Sequence, residues 1–117
     1  TARDIQSYCK KMGLPWEKAK GFDGSAQISR VFIDKKDIEL NNINFSLKKN
    51  ENIIQKGNSN NMLFSFDKII AHVSQFYTLK AGDLIYTGTP SGVEKVKAGD
   101  CLKGYLNDKK MFEVQVK

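Results

Sequence analysis

The stretch INFSLKKNENIIQKG, residues 43–57, sets the fold class. Ile43, Phe45 and Leu47 alternate with polar residues, a period of two that puts one apolar face on a strand. Asn50-Glu51 sits at the reversal, and Ile53 and Ile54 return apolar side chains on the second arm. This spacing predicts a β-hairpin. Its turn is imperfect, because a two-residue type I′ turn favours Asn-Gly and a glutamate in the second place is strained at positive φ.

Working outward, SFDKIIAHVSQFYTL (65–79) changes the period. Phe66, Ile69, Ile70, Val73, Phe76 and Tyr77 fall on one helical stripe, with Ser65 placed to cap it. A helix is expected over 65–77, packed by Phe66, Ile70, Val73 and Phe76 onto a β-rich core. AGDLIYTGT then reads as a turn into a strand, VKAGDCLKGYLN as a second Ala-Gly-Asp turn into another, and DKKMFEVQV as a last hairpin arm. Toward the start, Ile5, Tyr8, Cys9 and Met12 recur at three and four, with Thr1 as a cap candidate, Asp4 in the first turn and Gly13 at the stop. That helix sets Arg3 and Gln6 on one face. Residues 13–29 mix Pro, Gly, Trp and Lys without a period and read as ordered but irregular. Strands outnumber the two helices, so the expected class is α+β, β-rich, in one domain.

Composition narrows the function. At 117 residues, 40% hydrophobic and 27% charged, the chain is globular in composition, and no apolar run nears the roughly 20 residues that span a bilayer. A protein without a membrane partner is expected. The net charge of +6 comes almost wholly from lysine, since Arg3 and Arg30 are the only arginines. Readers of nucleic acid lean on arginine forks, so no nucleic-acid partner is expected. Cys9, Cys101 and the single histidine, His72, are too few and too scattered for a Cys/His zinc site. Two free thiols suit a reducing, cytoplasmic location. His72 has no Ser, Cys or acidic partner at motif spacing, and a structural role is expected of it.

A glycine turn, TGTPSGV at 87–93, follows the apolar LIY run. It lacks the lysine of a phosphate loop and no helical pattern follows, so a nucleotide is a poor fit. The N–H groups of Gly88 and Thr89, with the Thr89 hydroxyl, could hold a small carboxylate. Taken alone, the turn equally suits a strand end that needs positive φ.

Three strings in order, TARDIQ, GLPWEKAKGFDG and LKAGDLIYTGTPSGV, with MLFSFDKIIAHVSQFYTL between the last two, resemble the fumarylacetoacetate hydrolase family. The likeness is to its acylpyruvate hydrolase and oxaloacetate decarboxylase branch and covers nearly the whole chain. It implies a mixed β-roll or β-sandwich core, a homodimer, a divalent metal, Mg2+ or Mn2+, and a small 2-oxo acid substrate. The implied activity is C–C bond hydrolysis or decarboxylation, with isomerases and decarboxylases of aromatic catabolism as the alternative within the family.

By the same resemblance Lys20 matches the lysine that stabilises the developing enolate, and Gln6 the glutamine that orients substrate or water. Arg3 matches an arginine that lines or braces the pocket, and Thr89, with Gly88 beside it, the carboxylate-binding threonine. The chemistry agrees, because breaking a C–C bond next to a carbonyl needs positive charge where the enolate forms. The family's metal-binding carboxylates precede the Thr-Ala-Arg-Asp motif, so residues 1–117 are expected to be the C-terminal part of the catalytic domain, to hold no metal ligand, and to be inactive alone. Gln27 and Glu51 replace a proline and a glycine common in the family, and specificity is expected around Trp16 and Arg30. A basic, non-catalytic binding module competes only through its lysines, since Phe22, Phe45 and Tyr105 form no stacking platform in sequence. A folded, inactive remnant is the third reading.

Overall fold

A computed structural model describes residues 1–117. The stretch 43–57 is a hairpin, β1 (Asn44–Lys49) and β2 (Asn52–Asn58), antiparallel with a bulge between Leu47 and Lys48. Asn50 and Glu51 take φ of 48° and 71°, so the two-residue turn forms with its glutamate in the left-handed region. Lys103 pairs with that glutamate, and the bond and charge hold the Glu51 carboxyl below its ordinary range.

The second hairpin, β3 (Cys101–Leu106) and β4 (Lys109–Gln115), repeats the plan with Asn107 and Asp108 at φ of 44° and 66°. The sheet order is β2-β1-β3-β4, antiparallel throughout. Each turn asparagine is tied to the start of the other hairpin. Asn107 Oδ1 accepts the Asn44 N–H at 2.9 Å, and the Asn107 N–H donates to the Asn44 carbonyl at 2.8 Å. Asn50 does the same to Cys101, at 2.8 Å through its side chain and 3.0 Å through its main chain. A short polar side chain that tolerates positive φ is required at both positions. Two strand glycines are covered from the next strand: Phe45 lies over Gly57 and Phe112 over Gly104, each its register partner. The aromatic ring fills the space a side chain would take.

Helix α1 (Arg3–Met12) begins at Ala2, which caps without a side chain; the expected cap, Thr1, instead accepts a hydrogen bond from Lys20. Gly13, at φ 65°, ends it as expected. The irregular stretch contains a one-turn helix, α2 (Glu17–Lys20), too short for a period to reveal. Helix α3 (Phe66–Val73) is capped by Ser65, whose Oγ accepts the Lys68 N–H at 3.4 Å.

Three expectations fail. α3 stops at Val73 rather than reaching 77, and Gln75–Tyr77 close tight turns onto His72 and Val73. Its stripe is packed only in part: Phe66, Ile69 and Val73 are half-buried, while Ile70 and Phe76 are 46% and 69% exposed. The run Leu84–Tyr86 forms no strand, and from 84 to 96 the backbone makes no hydrogen bond to other backbone. The cause is common to the last two: an apolar stripe needs a full facing surface and a strand needs a neighbour, and residues 1–117 cover the stripe only in part and give the strand no edge.

The accessible surface carries the same message. It is 9571 Å², against roughly 6400 Å² for a folded monomer of this mass. The radius of gyration is 15.7 Å, against about 13 Å for a compact domain of this length. Six residues are buried, and they lie apart: Gln6, Cys9 and Ala19 between α1 and α2, Ile43 and Ser59 beside the start of β1, and Gly104 within the sheet. The class is α+β, one antiparallel sheet with three helices, and much of its apolar surface is uncovered.

Candidate functional site

The first group of candidate residues is assembled by the seam between α1 and α2. The Ala2 N–H donates to the Ala19 carbonyl at 3.0 Å, stitching the start of α1 to α2. Around that stitch Ala19, Cys9 and Gln6 are the most buried side chains of the two helices. Gln6 Oε1 accepts a long bond from Arg3 Nη1 at 3.5 Å, one turn back on the same face. Lys20 Nζ donates to Thr1 Oγ1 at 3.0 Å. Arg3 and Lys20 thus set two cations at the amino end of α1, where the helix dipole is also positive. Such a place attracts an anion, the charge that an enolate develops.

The second group lies on the unpaired segment. Gly88 stands at φ 93°, where a side chain would be strained. Thr87–Ser91 rim a groove of ≈ 720 Å³ whose apolar side includes Phe45, Met62, Leu63, Phe64 and Ile69. Leu63 is 94% exposed, so this apolar wall faces outward. None of Arg3, Gln6 or Lys20 lines that groove. The structure therefore draws Arg3, Gln6 and Lys20 together at the α1–α2 seam, while Gly88 and Thr89 rim a groove that none of the three lines.

Reading the sequence missed the residue that holds the loop. Gln55, on β2, places its Nε2 2.9 Å from Thr89 Oγ1. Nothing local marks it, since it is one polar residue on a strand. Only the fold brings 55 to 89. Trp16 carries Lys10 Nζ 5.0 Å from its ring centre, and Arg30 lies beside Met111 and Phe112 in a shallow dent. His72 meets Phe76 edge to face at 5.3 Å, a contact that fits the structural role expected of it.

No group of three or more His, Cys, Asp and Glu side chains comes together to hold a metal ion. The two Ala-Gly-Asp aspartates serve turns, Asp83 accepting the Lys80 N–H at 2.7 Å and Asp100 the Lys97 N–H at 2.8 Å. The residues present do not fit a divalent-metal site.

Residues 1–117 match the family described as fumarylacetoacetate (FAA) hydrolase C-terminal. The chain belongs to the fumarylacetoacetate hydrolase family. It is 46% identical over 101 residues to "Oxaloacetate tautomerase FAHD1, mitochondrial" of Bos taurus, covering 86% of this chain and 45% of that protein. It is 44% identical over 103 residues to "Oxaloacetate decarboxylase, mitochondrial" of Dictyostelium discoideum, covering 88% and 47%. Among solved structures it resembles fumarylpyruvate hydrolase from Pseudomonas aeruginosa in complex with Mn2+ and pyruvate, with a TM-score of 0.89, 31% identity and coverage of 97% of this chain and 49% of that one. A family member from yeast gives a TM-score of 0.86 at 35% identity, covering 100% and 52%. The chain spans about half the length of the relatives it matches. No helix is long and apolar enough to cross a membrane.

Proposed function

We propose that this chain is the C-terminal part of the catalytic domain of an enzyme that processes small 2-oxo acids, by acylpyruvate hydrolysis or oxaloacetate-type decarboxylation. The observation that carries it is family membership along residues 1–117, with relatives at 44% and 46% identity whose names place their chemistry on oxaloacetate. The residue roles follow the family resemblance. Lys20 stabilises the enolate oxygen as charge develops, and the buried Gln6 orients substrate or water from a fixed helix. Arg3 adds charge and braces Gln6. Thr89 and the Gly88 turn take the substrate carboxylate. This reading requires both groups to face one substrate in the full-length protein.

The complete enzyme uses Mg2+ or Mn2+, with its carboxylate ligands outside residues 1–117, as the family resemblance implies. A homodimer is part of the proposal, as the family resemblance implies. A cytoplasmic location is retained as part of the proposal.

A second reading, keto–enol tautomerisation of oxaloacetate, is favoured by the relatives named as tautomerases. Each reading passes through a 2-enolate, that of pyruvate after C–C cleavage and that of oxaloacetate itself in tautomerisation. The test is the purified full-length protein assayed on an acylpyruvate and on oxaloacetate, with and without chelator. Pyruvate release from either marks C–C cleavage, whereas loss of the enol absorbance without pyruvate marks tautomerisation. No turnover of either compound with added Mg2+ or Mn2+ would overturn both.

A further inference from the structure

Gln55 touches the candidate carboxylate loop at three points. Its Nε2 lies 2.9 Å from Thr89 Oγ1, 3.1 Å from the Pro90 carbonyl oxygen and 3.3 Å from that of Ser91. Carbonyl oxygens only accept, so the end of the amide that faces them is the NH2 group. That group has no lone pair to offer Thr89. The Thr89 oxygen is therefore the acceptor, and the threonine's own proton is left to point elsewhere.

We propose that Gln55 is the positioning residue of this loop: by donating to Thr89 Oγ1 it turns the threonine hydroxyl into an outward donor for a substrate carboxylate. The inference rests on the reading of Thr89 as a carboxylate contact given above. Two further facts point the same way. Backbone from 84 to 96 makes no hydrogen bond to other backbone, so side chains must hold it. Gly92, at φ 96°, seats the loop on β2 next to Gln55, where a Cβ would run into the Ile54 carbonyl oxygen. Three acceptors share two hydrogens, which fixes the amide at the centre of the turn.

The experiment uses the full-length protein and pyruvate as probe, measured by calorimetry and as a competitive inhibitor, on Gln55→Leu, Gln55→Glu, Thr89→Val and the Leu/Val double variant. Gln55→Leu should weaken pyruvate about tenfold, the loss expected of one hydrogen bond to a charged group, and should raise KM more than it lowers kcat. Gln55→Glu should weaken it further at neutral pH, because an ionised carboxylate takes the threonine proton and repels the anion. Its affinity should recover as pH falls and the acid regains a donor, while that of Gln55→Leu stays flat. The double variant should be no weaker than Thr89→Val, since Gln55 acts through that hydroxyl. If Thr89→Val weakens pyruvate but Gln55→Leu binds like wild type, or if the two losses add, this inference falls and the carboxylate reading stands. If Thr89→Val is itself silent, the carboxylate reading falls and takes this inference with it. Melting curves of all four identify a variant that has lost its fold, and in that case the pH recovery of Gln55→Glu decides: no recovery overturns the proposal.

Discussion

The tetrapeptide Lys-Ala-Gly-Asp occurs twice, at 80–83 and 97–100, and folds the same way each time. Asp83 accepts the Lys80 N–H and returns its own N–H to the Lys80 carbonyl, and Asp100 and Lys97 repeat both bonds. The glycines stand at φ 100° and 93°. An apolar run follows in both cases. After Asp100 it becomes β3, paired on both sides; after Asp83 it stays extended and unpaired. A turn is a local object, made of one glycine and one carboxylate, whereas a strand exists only if a neighbour offers its edge. Thr89, the candidate ligand residue, sits on the copy without a neighbour, held by side chains: Gln55 to the 89–91 turn, Lys49 to Glu94 at 2.6 Å and to the Lys95 carbonyl at 3.2 Å, and Tyr86 to the Gln27 carbonyl at 3.3 Å.

If this division between a sheet that carries the fold and outlying segments that carry the chemistry is correct, substitutions should separate activity from stability. The largest effect is expected at Lys20. In the full-length enzyme Lys20→Ala should lower kcat by about a hundredfold or more, the usual cost of one transition-state donor, with an unchanged melting temperature. A kcat within threefold of wild type would remove Lys20 from the site, and a matching loss of melting temperature would blur the division.

In the paired region the expectation is reversed. Gly104→Val puts a side chain where the Phe112 ring lies, and overpacking of this kind costs roughly 1–3 kcal/mol. Urea unfolding should show that loss, while kcat per folded molecule stays near wild type. An unchanged urea midpoint would mean that the ring does not depend on the glycine beneath it.

Lys49→Met sharpens the contrast at a smaller scale. Its ion pair to Glu94 is partly exposed, with side chains 22% and 43% accessible, and pairs of this type contribute about 0–1 kcal/mol. Global stability should hardly move. Proteolysis within 93–97 should nevertheless rise several-fold, because local opening there is opposed by few other bonds. Equal cleavage rates would show that the segment is held by something other than these side chains.

The smallest effect is a response to acid. The backbone N–H of Lys97 and the Asn50 amide hold the Asp100 carboxyl below its ordinary value near 3.8. A depressed carboxyl contributes fully above its unfolded value and loses that contribution as pH falls through the lower folded value. Between about pH 4 and pH 2 the wild type should therefore lose more stability than Asp100→Asn, measured by urea midpoints, and the curves should run parallel above pH 5. Parallel curves throughout would show that the turn does not depend on the charge.

The amino-acid sequence determined the elements whose causes lie within a few residues. Alternation at 43–57 and the Asn50-Glu51 reversal determine the first hairpin, and Ser65 and Gly13 mark helix ends where they occur. The ordered strings that carry the family likeness were equally legible. Tertiary structure decided everything that needs a second surface. Leu84–Tyr86 has the composition of a strand and no partner, α3 has an apolar stripe that is covered only in part, and Thr1 yields its capping role because Lys20 reaches it from nineteen residues away. Gln55 gives no local signal of its contact with Thr89, since its neighbours along the chain explain only its place on β2. Periodicity and capping report on neighbours along the backbone; contacts between 55 and 89, or between 1 and 20, exist only after the chain has closed on itself.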